Sequence, residues 1–148
     1  MRILEALLGE HGVFHAQFDH LAQKAPTAET RAWVQGQAAL LAATLNTHAS
    51  LEDELLFSTL EPHLGPMGPL AVMRMEHDQI EEYLAQAQDA QEMGQARDLL
   101  LQAVRVARDH FAKEEQVLFP LALRVLDEET LTALGAQWAG RRSVTVNV

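Results

Sequence analysis

The sequence predicts an all-α protein: an antiparallel up-down four-helix bundle with a short fifth helix and a tail at the C-terminus. Three observations carry this. Apolar residues recur at helical spacing through four long blocks. Glycine and proline gather between the blocks, where they interrupt helices. A short motif also recurs after a fixed interval, so the chain reads as two copies of one helix pair. Amphipathic helices joined by short connections pack as antiparallel neighbours.

The first block runs from about residue 3 to 24, with Leu4, Leu7, Leu8, Phe14, Phe18 and Leu21 along one face. The second runs from about 28 to 60, with Thr27 offering a capping oxygen. It ends in "EPHLGPMGP", which holds three prolines and two glycines. The third spans about 70 to 91, and Gly94 marks the break after it. The fourth starts near 96 and reaches Phe119, where Pro120 kinks or ends it because proline lacks the N–H. A fifth helix is expected over about 128 to 138, capped by Asp127. The tail "GRRSVTVNV" alternates apolar and polar residues and is expected to be extended or disordered. One domain follows: residues 1–126 form the bundle, and residues 127–148 pack on it or extend from it.

Composition narrows the function. A chain of 148 residues with 48% hydrophobic and 22% charged residues can bury one sizeable core. A net charge of −10 argues against nucleic acid as a partner. The apolar runs are too short for a membrane span, and the N-terminus does not read as a secretory signal, so a cytoplasmic protein is expected. Cysteine is absent, which removes disulfides, thiolate metal sites and a cysteine nucleophile. Seven histidines remain to be explained.

Their placement is patterned. "HASLEDELLF" (48–57) returns 62 residues later as "HFAKEEQVLFP" (110–120), and both read H-x-x-x-E-[DE]-x-x-L-F. "GEHGVFH" (9–15) and "MEHDQIE" (75–81) share E-H-x-x-x-[HE] at an offset of 66. Residues i and i+4 of a helix point within about 40° of each other. His11 and His15, His48 and Glu52, His77 and Glu81, and His110 and Glu114 therefore pair on, or beside, the apolar stripes of four helices. Histidine and carboxylate aimed into a bundle centre are how bundle-core metal sites are built. Imidazole with carboxylate suits iron, manganese or zinc. Six to eight ligands exceed what one ion takes; two ions about 3.5–4 Å apart, bridged by carboxylates, fit better. Glu52 and Glu114, one from each half, suit the bridging role. His11 and His48 then serve one ion and His77 and His110 the other, with His15 and Glu81 as further candidates. Asp53, Glu54 and Glu115 are read as a solvated face, Glu10 and Glu76 as partners behind the ligand histidines or surface acids, and the Leu-Phe pairs as core.

These residues carry a resemblance. The set E-H (10–11), H-x-x-x-E-D-x-x-L-F (48–57), E-H (76–77) and H-x-x-x-E-E-x-x-L-F-P (110–120) resembles the hemerythrin-like HHE cation-binding family over about residues 3–126. The resemblance implies a four-helix bundle with a non-haem di-iron site ligated by His11, His48, Glu52, His77, His110 and Glu114. It also implies a small diatomic or peroxide ligand. Oxygen-carrying members have histidine where this chain has Glu81. They also have an acid five residues after the fourth-helix histidine, where this chain offers both Glu114 and Glu115. In a regular helix the i+5 residue points about 140° away, which favours Glu114. If Glu81 ligates, its charge favours ferric iron; if it turns outward, it leaves an open coordination position. The leading function is binding or sensing of oxygen, nitric oxide or iron. A di-iron oxidoreductase acting on peroxide or repairing iron centres, and a structural zinc bundle, are the competing readings.

Overall fold

The computed structural model describes residues 1–147, and among these every regular element is helical. Helix α1 spans Ile3–Lys24 and runs into a 3₁₀ turn, Ala25–Thr27. Helix α2 spans Arg31–Leu51, continues as a π-helical segment over Glu52–Phe57, and ends as α3, Ser58–Leu64. Helix α4 spans Pro69–Asp89. Helix α5 spans Met93–Lys113 and passes through a second π segment, Glu114–Leu118, into α6, Phe119–Val125. Helix α7 spans Glu128–Arg142. The alternating tail therefore begins later than its sequence suggests: Gly140, Arg141 and Arg142 are helical, Ser143 turns at φ 55°, and Val148 lies outside the described residues.

Local chemistry explains most boundaries. Thr30, not Thr27, caps α2, accepting from the Trp33 N–H at 3.2 Å; the Thr27 hydroxyl instead donates back to the Lys24 carbonyl. Asp127 caps α7, accepting from the Thr130 N–H at 2.8 Å. Gly65 and Gly68, at φ 78° and 76°, make the turn between α3 and α4. Pro69 starts α4, where a missing N–H costs nothing. Two expected breaks are not breaks. Glu61–Leu64 stay helical despite Pro62, and Pro120 sits at the start of α6, in a helix that runs on to Val125.

Packing buries two apolar clusters. One joins Phe14, Phe18 and Leu21 of α1 with Leu41, Leu45, Ile80, Leu84, Leu100 and Phe111. The other joins Ile3, Leu4 and Leu7 with Leu55, Leu56, Phe57, Leu70, Met73, Leu118, Phe119 and Leu131. Their order along the chain alternates: α1 and α4 pass from the second cluster to the first, and α2 and α5 from the first to the second. On all four helices the change of cluster falls at the predicted ligands. The polar side chains thus form a belt between two apolar cores. Leu8, assigned to the α1 stripe by spacing, is 45% exposed.

Helix α7 closes the bundle end against α1. A Cβ built on Gly135 would lie 2.2 Å from the Met1 carbonyl oxygen. Gly135→Ala is therefore expected to destabilise the protein by about 1–3 kcal/mol, the usual cost of overpacking. Gly36→Ala, in the interior of α2 with nothing within 4 Å of its Cβ, is expected to stabilise it by about 0.5–1 kcal/mol through helix propensity. Urea denaturation of the two variants checks both signs.

Candidate metal centre

The belt consists of fully buried ionisable groups. His11, His48 and His110 are each 1% exposed, and Glu52 and Glu114 are 0% exposed. His77 is nearly buried. Two overlapping groups result: His11, His48, Glu52 and Glu114; and Glu52, His77, His110 and Glu114. Within each group one ligand atom per residue lies within 4.8 Å of all the others.

The two glutamates face both ways. Glu52 directs Oε1 toward His48 Nε2 (2.9 Å) and His11 Nε2 (3.6 Å), and Oε2 toward His77 Nε2 (3.2 Å). Glu114 directs Oε2 toward His11 Nε2 (3.3 Å) and Oε1 toward His110 Nε2 (3.1 Å). The four Nε2 atoms and the four carboxylate oxygens make no hydrogen bond of suitable geometry. Eight buried polar atoms without partners cost several kcal/mol in aggregate unless a cation or proton sits among them. The donor set is oxygen and imidazole nitrogen only, which fits iron, manganese or zinc.

Behind the ring nitrogens stands a second set of carboxylates. His48 Nδ1 lies 2.5 Å from Glu10 Oε2, and His11 Nδ1 lies 2.9 Å from Glu115 Oε1. His77 Nδ1 faces Asp53 and His110 Nδ1 faces Glu76, each at 3.6 Å. Such carboxylates fix the tautomer and orientation of a ligating histidine. Glu115 and Asp53 thus stand against His11 and His77 rather than on a solvated face. The signal for them was the acid after Glu52 and after Glu114, repeated in both halves. What hid it is the backbone. The π segments begin at Glu52 and Glu114 themselves, and the N–H groups of Ser58 and Phe119 bond to carbonyls five residues back. A widened turn changes which side each following residue faces, and such turns concentrate at functional sites.

The Leu-Phe pairs also do more than fill the core. Phe57 stacks on His77 (ring centroids 5.6 Å apart, 13° between planes), and Phe119 stacks on His11 (5.6 Å, 27°). Each half of the repeat packs its phenylalanine on a histidine of the other half. Phe111 lies flat against His11 at 3.8 Å.

Of the eight candidates, the structure brings together six: His11, His48, Glu52, His77, His110 and Glu114. His15 and Glu81 stand apart. The His15 side chain is 43% exposed, and its Nε2 lies 3.1 Å from Glu115 Oε1. Glu81 is exposed on α4. Their positions share one cause. The buried stripe continues from His11 to Phe14 and Phe18, and from His77 to Ile80 and Leu84, at i+3 and i+7. The i+4 residue then lies on the other side of the histidine, toward solvent. Glu81, turned outward, places no carboxylate in the cluster.

Electrostatics ties the set together. Burial pushes the imidazoles of His11, His48 and His77 down, but the adjacent carboxylates outweigh it. They are raised from 6.5 to about 9 for His11 and to about 10 for His48 and His77. Burial likewise pushes the Glu10 carboxyl up, yet its bonds to His48 and Arg142 hold it at about 2. The Glu52 carboxyl is held well below its ordinary range, burial being outweighed by His48 and then by His11 and His77.

The fold and the belt define a helical protein with a histidine–carboxylate cluster able to hold metal cations. The chain belongs to the hemerythrin HHE cation-binding domain family, whose model matches residues 2–122. Comparisons with curated proteins and with solved structures returned no match. No helix of the described residues is long and apolar enough to cross a membrane.

The pKa directions give an expected stability profile for metal-free protein. Histidines raised above 6.5 stabilise the fold fully below pH 6.5, and that contribution is lost as pH rises through about 9 to 10. Glu10, lowered from 4.5, stabilises above pH 4.5, and its contribution is lost as pH falls through about 2. Metal-free protein is therefore expected to melt highest between pH 4.5 and 6.5. Thermal melts in chelator across pH 4 to 10 test this; a midpoint that climbs toward pH 10 would contradict the assignment.

Proposed function

We propose that this chain is a non-haem di-iron protein of hemerythrin type, an antiparallel four-helix bundle that binds or senses oxygen, nitric oxide or iron. One observation carries the reading: Glu52 and Glu114 each present one oxygen to the His11/His48 side and the other to the His77/His110 side. Carboxylates placed this way would be shared by two cations, one on each side. The antiparallel assignment rests on the alternating order of the apolar clusters along α1, α2, α4 and α5. Zinc or manganese would be accepted by the same donors.

Iron held here would supply one-electron redox chemistry and binding of a small molecule. The chain's own part is to orient the imidazoles, exclude bulk water and shape the approach. A cavity of 20 Å³ lies against His48, His77 and His110, walled by Leu45, Asn46, Ala49, Ile80 and Phe111. It has room for about one water-sized molecule. That size suits a diatomic or peroxide, and Asn46 adds a polar group to an otherwise apolar wall. With His15 and Glu81 both outside the cluster, each group offers two imidazoles and the two shared carboxylates. An ion held by such a group would have room for a further, small ligand. No basic surface for nucleic acid is expected at a net charge of −10. The cytoplasm is the proposed location.

Protein expressed with ample iron is expected to carry about two ions per chain by elemental analysis, with the near-ultraviolet absorption of an oxo-bridged ferric pair. A content of zero or one would exclude the bridged pair.

Glu52→Ala and Glu114→Ala are each expected to lower the metal content of both positions, because each removes an oxygen from both groups. Glu81→Ala, altering an exposed residue, is expected to keep both ions and the spectrum. Metal loss in Glu81→Ala equal to that in Glu52→Ala would place Glu81 among the ligands.

A further inference from the structure

The two halves of the centre are alike in ligands and unlike in support. On one side, His48 and His11 hold their carboxylates at 2.5 and 2.9 Å. On the other, His110 and His77 stand 3.6 Å from theirs, and both Nδ1 atoms lack a hydrogen-bond partner. For His48 and His110 the sequence repeat does not account for this, since Glu10 and Glu76 occupy matching positions before matching histidines; for His11 and His77 the acids themselves differ, Glu115 against the shorter Asp53.

For His48 the difference comes from α7, whereas His11 is held by Glu115, an acid that also faces His15. Glu10 Oε1 accepts from Trp138 Nε1 at 2.9 Å and from Arg142 Nε at 2.6 Å. Glu10 Oε2 accepts from Arg142 Nη2 at 2.9 Å and faces His48 Nδ1. The guanidinium thus grips both oxygens, a two-point contact that fixes the carboxylate plane. Glu76 has a single tie, to Lys113 Nζ at 2.7 Å, from a flexible and 49% exposed side chain of α5. A lysine is a point charge and fixes no plane. Helix α7 lies beyond residues 2–122, the stretch that defines the family. It is held in place by the close contact of Gly135 with the N-terminus and by Leu131 and Leu134 in the core.

We propose that α7 makes the two cation positions unequal: Trp138 and Arg142 pin Glu10, Glu10 pins His48, and the His11/His48 position therefore binds the first ion more tightly than the His77/His110 position binds the second. This rests on the two-cation reading above. Trp138 and Arg142 are positioning residues, acting through Glu10 and His48. A carboxylate that orients a ligating histidine is worth about 10–100-fold in metal affinity, so loss of the pin should cost the first step that much and leave the second almost unchanged.

The test is a titration of metal-free full-length protein with Co²⁺, followed by calorimetry and by visible absorption, which reports the ligand set of each ion as it enters. Wild type is expected to show two steps separated by roughly tenfold or more. The double variant Trp138→Phe/Arg142→Gln removes three donor contacts while keeping an aromatic ring in place; its first step should weaken about 10–100-fold and the two steps should merge. Lys113→Met is the mirror control and should touch only the weaker step. Should the double variant fold poorly, Glu10→Gln makes the same test at the carboxylate itself. Uptake of fewer than two ions by wild type would overturn the two-cation reading and this proposal with it. Two ions entering wild type with equal affinity, or a gap that survives both the double variant and Glu10→Gln, would overturn this proposal alone.

Discussion

Two carboxylates sit side by side in the middle of a helical protein, both completely removed from water. An unpaired buried carboxylate costs far more than any single apolar contact returns, and Glu52 and Glu114 also repel one another. The rest of the belt can be understood as the answer to that cost. Four imidazoles surround the pair, and four further acids stand behind the imidazoles. In metal-free protein, protons on His11, His48 and His77 supply positive charge. When metal is bound, cations take that role, and the imidazoles must give up their protons to become donors. Metal uptake is therefore coupled to proton release, and tight binding needs a ligand set already held in position.

The backbone meets this need with one device used twice. A π segment opens at each buried glutamate, so the two consecutive acids that follow each motif histidine take different tasks. Glu114 points into the centre and Glu115 reaches His11; Glu52 points into the centre and Asp53 faces His77. The same widened turns deliver Phe57 and Phe119 onto the histidines of the opposite half. Contacts between halves hold the centre together, so neither helix pair could form it alone. The apolar clusters on either side shield the central side chains from water, and a cavity of about one water's size lies beside them.

Support from outside the repeat is uneven. Helix α7 packs on α1 at a glycine and reaches one of the two acids that precede ligand histidines. Its neighbour across the pseudo-symmetric centre is left to a lysine. Duplication gives equal halves, and a later element attached to one side makes them differ. The histidine–carboxylate distances carry that difference directly to the ring nitrogens.

The helical class, the duplicated pair of helices and the six histidine and glutamate side chains that meet at the centre were legible in the sequence because they depend on local periodicity. Residues 3.6 apart per turn share a face, and ionisable residues on an apolar face need a reason to be there. Periodicity also misplaced His15 and Glu81. The i+4 rule states that a side chain lies near the histidine, but the buried stripe decides on which side the core lies. Glu115 and Asp53 were hidden because a regular helix turns the i+5 residue away, and only the packing of both halves around the centre shows the turns widened to i→i+5. The role of Arg142 and Trp138 joins residues more than 120 positions from Glu10. No local rule encodes such a contact: it exists because α7 folds back against α1, and that docking is decided by tertiary packing.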